Sequence, residues 1–153
     1  LPVKIVRPFN VYGPGLKLDD KRVVPDFCRD ALYSKKITLL SDGIPTRSFC
    51  YVRDALSGFM ATLLSNHHRE AFNIGNDEIE ISMIDLAKLI AQNVGDVEIE
   101  HKQSNEVDYL IDNPQRRCPD LTKARTLLDY NPKVNLEEGL ARTLKWYKEA
   151  YGL

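Results

Sequence analysis

Residues Val3 to Val6 form an apolar run that leads straight into Arg7-Pro8-Phe9-Asn10-Val11-Tyr12-Gly13-Pro14-Gly15. Val3, Ile5 and Val6 are β-branched, so residues 3–9 read as a buried strand. Gly13-Pro14-Gly15 stops the strand and turns the chain outward. Asn10 and Tyr12 thus stand at the carboxyl end of a strand, where open α/β sheets place their ligands. The remainder is expected to build a lid and pocket beyond that strand end.

The downstream pattern alternates short apolar runs with amphipathic stretches. Residues 10–22 read as a polar loop carrying Lys17, Asp19, Asp20, Lys21 and Arg22. Val23, Val24, Phe27, Ala31 and Leu32 share one helical face over residues 23–34. Ile37 to Leu40 and residues 47–52 read as strands. Asp54 is expected to cap a helix reaching Ser65, with Leu56, Phe59, Met60 and Leu63 inward. Residues 71–74 form a buried strand ended by Gly75-Asn76. Ser82 opens a further helix and Gly95 stops it. Residues 97–101 fit a strand, 102–119 a long polar connection, 121–128 a short helix and 136–151 an amphipathic closing helix. This order of elements is α/β, with a small mixed region beside a partial sheet.

Charge and composition narrow the function. Net charge is −1, which favours neither nucleic acid nor an anionic membrane as partner. No apolar stretch approaches the roughly 20 residues of a membrane span. Cys28, Cys50 and Cys118 are odd in number, far apart and without metal-ligand spacing. They read as reduced thiols of a cytoplasmic protein, and no metal is expected. With only His67, His68 and His101, a Ser-His-Asp mechanism lacks support and no catalytic residue is assigned. Leu1 is not Met and almost touches the first strand, so an amino-terminal part is expected to be missing. The strand at 3–9 would then lack a neighbour, and self-association or swapping through residues 1–12 is expected.

The chemistry that remains is anion binding. The chain has no glycine-rich dinucleotide loop, no P-loop and no Tyr-x-x-x-Lys pair. Lys17, Arg22, Arg47, Arg116 and Arg117 are the cationic candidates. Arginine suits a diphosphate because its planar fork donates paired hydrogen bonds. Arg47, between Thr46 and Ser48 at the start of a strand, is the sharpest of them.

Five segments carry a resemblance. They are residues 7–15, then Gly43 with Thr46-Arg47-Ser48-Phe49-Cys50-Tyr51-Val52-x-Asp54, and Phe72-Asn73-Ile74-Gly75-Asn76. The last two are residues 112–124, and Pro132-Lys133-Val134 with residues 136–140. In this order they resemble the extended short-chain dehydrogenases/reductases, the nucleotide-sugar epimerase/dehydratase family. Asp19 to Val24 and the Arg117-x-Pro-Asp pattern look most like the UDP-glucuronate decarboxylases, with the dTDP-glucose 4,6-dehydratases close behind.

The resemblance implies a Rossmann-type α/β fold represented by its carboxyl-terminal half. Residues 1–12 and 48–76 would join the cofactor-domain sheet, and 13–47 with 77–153 would form the substrate-binding region. It implies chemistry through NAD and a 4-keto sugar, with a tyrosine base from a Tyr-x-x-x-Lys pair upstream of Arg7. Pro8 and Phe9 would lie near the nicotinamide, and Asn10 would hydrogen-bond the sugar or diphosphate. Lys17 and Arg22 would close over the substrate. Val23, Val24 and Phe27 would pack by the nucleotide, and Leu40 would end a strand running past the base. Arg47 and Arg117, with Arg116 beside them, would hold the diphosphate. Gly15 and Asn113 depart from the family pattern, the first where arginine is common and the second where an acidic residue often meets the ribose. The expected function is the substrate-binding half of an NAD-dependent nucleotide-sugar enzyme, inactive alone. The alternative is a non-catalytic module that binds a nucleotide sugar or phosphate.

Overall fold

The computed structural model describes residues 1–102 and 114–153. Its elements, in order, are β1 (Lys4–Pro8), β2 (Val11–Tyr12), α1 (Val23–Tyr33), β3 (Lys36–Leu39), β4 (Thr46–Arg47), β5 (Cys50–Tyr51) and α2 (Val52–Leu64). They continue as β6 (Glu70–Ile74), β7 (Ile81–Ser82), α3 (Met83–Val94), β8 (Glu98–His101), β9 (Arg116–Arg117), α4 (Thr122–Leu128) and α5 (Leu136–Tyr151).

Parallel pairing dominates. β1 runs parallel to β6, β2 to β5, and β3 to β8. β4 sits between β7, antiparallel, and β9, parallel. Parallel pairs need a crossover between their strands. The connection from β1 to β6 includes α2, and that from β3 to β8 includes α3.

Two apolar clusters organise the chain. The larger joins Tyr12, Val24, Phe27, Ala31, Ile37, Leu39, Phe49, Leu86, Ile90, Leu140, Leu144 and Tyr147. It is where α1, β3, α3 and α5 meet. Fully burying a side chain of this size stabilises by about 1.5–3 kcal/mol. The smaller cluster is Phe72, Ile74, Leu121, Ala124 and Tyr130. There α2 and α4 pack on β6, and α2 also packs on β1.

Several local expectations hold at the residue level. Ser82 Oγ accepts from the Asp85 amide and starts α3, and Gly95 ends it. The expected closing helix is α5, which the structure shows started by Asn135, its Oδ1 accepting from the Glu138 amide. Four expectations are corrected. The first strand is not buried: Ile5 of β1 and Val3 just before it are 52 and 49% exposed. Residues 47–52 are not one strand: β4 and β5 are two short strands separated by Ser48 and Phe49. Asp54 is not a cap but a first-turn residue of α2, and its Oδ2 accepts from the Lys133 and Val134 amides at 3.0 and 2.8 Å. The fully buried face of α2 is made of Asp54, Ala55, Gly58 and Thr62; of the four large residues expected inward, Phe59 packs against the smaller cluster, while Leu56, Met60 and Leu63 are exposed. Small side chains let α2 approach β6 and Tyr130 closely. A Cβ at position 58 would meet Ile74 Cγ2 at 2.6 Å and Tyr130 Cε2 at 2.8 Å.

Packing also runs across the expected division of the chain. Helix α4, assigned to the substrate-binding region, packs against β6 and α2 in the smaller cluster. Tyr12, Phe49 and Tyr51, assigned to the sheet, belong to the larger one.

Candidate functional site

The parallel strands β1 and β6 end side by side at Pro8 and Ile74. The Phe9 amide still donates to the Ile74 carbonyl, at 2.9 Å, and then the chain leaves the sheet. Asn10 makes the departure in the left-handed region, φ 41°. Asparagine tolerates that conformation better than most residues. Its Nδ2 donates to the Ser48 carbonyl at 2.8 Å, and its own carbonyl accepts from the Cys50 amide at 3.1 Å. Asn10 thus ties the end of β1 to the chain that follows Arg47. The side-chain donor assigned to the sugar or diphosphate is engaged with that carbonyl.

On the other side of the strand ends, Gly75 is approached closely. A Cβ there would lie 2.8 Å from Pro119 Cγ and 3.0 Å from Phe9 Cβ. The Gly75 carbonyl accepts from the Tyr130 hydroxyl at 2.7 Å. Tyr130 is buried beside Cys50, and burial holds its phenol, like the Cys50 thiol at about 11, above its ordinary range. Both groups stay protonated near neutral pH, and the Tyr130 hydroxyl keeps its bond to the Gly75 carbonyl.

The arginines come together on the three-stranded sheet. Arg47 pairs in register with Arg117, and Thr46 with Arg116. Partners in register share a face, and successive residues alternate faces. Arg47 and Arg117 therefore lie side by side on one face, on strands about 4.8 Å apart. Arg47 is 6% exposed and donates through Nη1 to the Thr46 carbonyl at 2.7 Å. Arg117 is exposed. Backbone bonds from Thr46 N to Gln115 O, 2.8 Å, and Ser48 N to Arg117 O, 3.2 Å, hold the register.

Arg116 goes to the other face. Its guanidinium is paired with Glu80, Nε donating to Oε2 at 2.8 Å and Nη2 to Oε1. The fork holds the Glu80 carboxyl below its usual range. The remaining candidates lie apart from this pair. Arg22 is bound to the Asp20 carboxylate at the start of α1. Lys17 lines a separate open cavity of about 660 Å³ with Arg29, Tyr33 and Tyr151. Val24 and Phe27 are buried in the larger cluster, with Val23 packed against it. Leu40 is exposed just past the end of β3. Pro8 and Phe9 stay at the β1 end, beside Gly75. Asn113 lies outside the described residues.

Glu80 and Tyr130 take part in this arrangement without having stood out in the sequence. Glu80 and Ser82 share the Thr46 face of β7, a period-two pattern too short to recognise alone. Tyr130 precedes Asn131-Pro132, which reads only as a break. Among the described residues no group of three His, Cys, Asp or Glu side chains could hold a metal ion. None of the described helices is long and apolar enough to cross a membrane.

Residues 1–75 match the family model described as the NAD dependent epimerase/dehydratase family. UDP-glucuronic acid decarboxylase 2 of Arabidopsis thaliana is 39% identical over 148 residues, covering 96% of this chain and 32% of its own length. The X-ray structure of Pal from Bacillus thuringiensis superposes with a TM-score of 0.87 at 33% identity, over 98% of this chain and 47% of that one. A UDP-glucuronic acid 4-epimerase from Bacillus cereus, in complex with UDP-glucuronic acid and NAD, gives 0.86 at 29% identity, over 99% and 46%. The chain thus spans about a third of this curated relative and just under half of these solved chains. On the segments quoted above and on these likenesses, the chain belongs to the NAD-dependent epimerase/dehydratase family, with the α/β fold of its Rossmann-type short-chain dehydrogenase/reductase members.

Proposed function

We propose that this chain supplies the grip on a nucleotide-diphosphate sugar in an NAD-dependent enzyme of the UDP-glucuronate decarboxylase type. The observation that carries the reading is the register of Arg47 with Arg117, which sets both arginines on one face of the sheet, Arg47 buried and Arg117 exposed. A diphosphate offers two anionic groups to such a pair, and each arginine can donate a fork of hydrogen bonds. The identity with a decarboxylase of UDP-glucuronic acid, and the likeness to an epimerase holding that same sugar nucleotide, support the choice of ligand.

The catalytic part is divided differently. NAD, when bound, accepts and returns a hydride. Pro8 and Phe9, at the carboxyl end of β1, would line one edge of such a cofactor. The 153 residues contain neither a glycine-rich dinucleotide loop nor a Tyr-x-x-x-Lys pair. By themselves they bind and orient the substrate without turning it over. That absence equally favours the second reading, a non-catalytic binding module. We place either activity in the cytoplasm, on the strength of the unpaired thiols.

Titration calorimetry of the chain with UDP, dTDP and UMP tests the proposal. UDP is expected to bind more tightly than UMP, and Arg117→Ala to weaken UDP by roughly 10- to 100-fold, the scale of a lost charge-assisted pair. Equal affinity for UDP and UMP, or an Arg117→Ala protein that binds UDP normally, would sink it. Incubation with UDP-glucuronate and NAD is expected to release no CO₂; release by the chain alone would overturn the division of labour.

A further inference from the structure

The small sheet β7-β4-β9 has too little backbone to orient Arg117 by itself. β9 is two residues long, and its partner β4 is two residues long. A side chain on such a strand can follow any local twist of the ladder. What resists that twist is on the opposite face. Glu80 precedes β7, Thr46 lies in β4 and Arg116 in β9, and all three meet there. Thr46 Oγ1 donates to Glu80 Oε2 at 3.4 Å, and Arg116 Nε donates to the same oxygen at 2.8 Å while Nη2 donates to Oε1. One carboxylate therefore clips three strands, and its two-point bond to a planar guanidinium fixes rotation as well as distance. Strand alternation transmits this to the next residue: holding Arg116 down on one face holds Arg117 up on the other.

We propose that Glu80 and Arg116 are positioning residues for the anion-binding arginines, touching no ligand and setting the direction of Arg117 through β9. This rests on the reading of Arg47 and Arg117 as a diphosphate site. It goes further by dividing the adjacent arginines 116 and 117 into one that orients and one that binds.

The sign of the effect separates positioning from simple electrostatics. Glu80 is a negative charge near an anion site. By Coulomb's law alone, Glu80→Gln should tighten UDP binding. Positioning makes the opposite forecast. The Arg116 side chain is 67% exposed and that of Glu80 28%, so a surface pair of this kind should change global stability little.

The experiment is UDP calorimetry on the wild type, Glu80→Gln, Arg116→Gln, the charge-reversed double variant Glu80→Arg with Arg116→Glu, and Arg117→Ala, with thermal melts of each. Glu80→Gln and Arg116→Gln are each expected to weaken UDP roughly three- to tenfold with unchanged melting temperature. The reversed pair is expected to restore affinity to within about twofold of wild type, because the fork re-forms in the opposite sense. Tighter binding by Glu80→Gln, or no recovery in a folded double variant, overturns the inference. If Arg117→Ala binds UDP like the wild type, the diphosphate site itself falls. If Arg117→Ala loses binding and Glu80→Gln does not, only the positioning role falls.

Discussion

Helices α2 and α3 are nearly equal in length, 13 and 12 residues, and both are rich in large apolar side chains. They bury opposite kinds of residue. Helix α3 buries Leu86, Ala87 and Ile90 among α1, β3 and α5. Helix α2 buries Asp54, Ala55, Gly58 and Thr62, and leaves Leu56, Met60 and Leu63 at 54, 52 and 65% exposed. The difference lies in the neighbours. Around α3, elements converge from several sides and the large residues find partners. Around α2, β6 and Tyr130 come so close that only small side chains fit between. Of its large residues Phe59 packs against the smaller cluster, while Leu56, Met60 and Leu63 face outward, as do Val3 and Ile5 of the first strand region. The α3 region is closed on itself, and the α2 region is covered on one side only.

The strongest way to break this contrast is to truncate one residue from each helix. Ile90→Ala should cost about 2–5 kcal/mol, as for a buried side chain that leaves a cavity. Met60→Ala should stay within about 0.5 kcal/mol, because its side chain already meets water. Urea unfolding of the two variants gives the comparison. Similar losses at both positions would mean that Met60 is covered in solution.

The same contrast explains what was legible in the sequence. Signals carried by adjacent residues were readable: the Ser82 cap, the stop at Gly95, the strand before Pro8 and the closing helix all appear where the pattern places them. The inward face of α2 was not, because apolar periodicity shows where a face is but not whether an element covers it. Asp54 looks like a cap by type and position. It acts instead across 79 residues, on the Lys133 amide, and no local pattern carries such a contact. The site divides in the same way. The anion chemistry of Arg47 and Arg117 could be proposed from residue type and resemblance. Their shared face, and the turning of Arg116 toward Glu80, depend on a parallel register between segments about 70 residues apart.

Between the two regions stands Tyr130, whose hydroxyl reaches the Gly75 carbonyl and the Cys50 thiol. Tyr130→Phe leaves that carbonyl buried without its donor. The expected loss is about 1–3 kcal/mol, less than the cavity at Ile90. A loss near zero would show that water reaches the Gly75 carbonyl and that the junction is looser than its geometry.

A weaker free-energy effect, but a clearer change in particle size, should come from the open side of the α2 region. We propose that the outward apolar residues of α2 and the first strand region join a second copy of the chain. Among the described residues β1 pairs only with β6, and its other edge adds backbone donors and acceptors. Met60→Lys should leave stability within about 0.5 kcal/mol. It should also lower the mass seen by light scattering at high concentration toward that of one chain. A wild type that is monomeric at the same concentration would remove self-association while leaving the helix contrast intact.

Thiol labelling resolves the contrast without destabilising either region. Cys28 lies in α1 within the closed cluster, with burial pushing its thiol up to about 12. Cys50 lies at the junction, pushed up to about 11 by burial, and Cys118 is partly exposed beside β9. Only the thiolate reacts with an alkylating reagent. Wherever a thiol reacts from its folded position, the thiolate fraction, and hence the rate, should rise about tenfold per pH unit between pH 7 and 9, still below both of these values. A thiol that reacts only after local opening will follow the free cysteine, flattening as the pH passes about 8.5. Cys118 should label first. Cys50 should follow with the flattened profile if the one-sided α2 region opens, and Cys28 last, on global unfolding. Mass spectrometry of the labelled chain reads the order directly. Labelling of Cys28 before Cys50 would reverse the assignment, making the closed cluster the first to open.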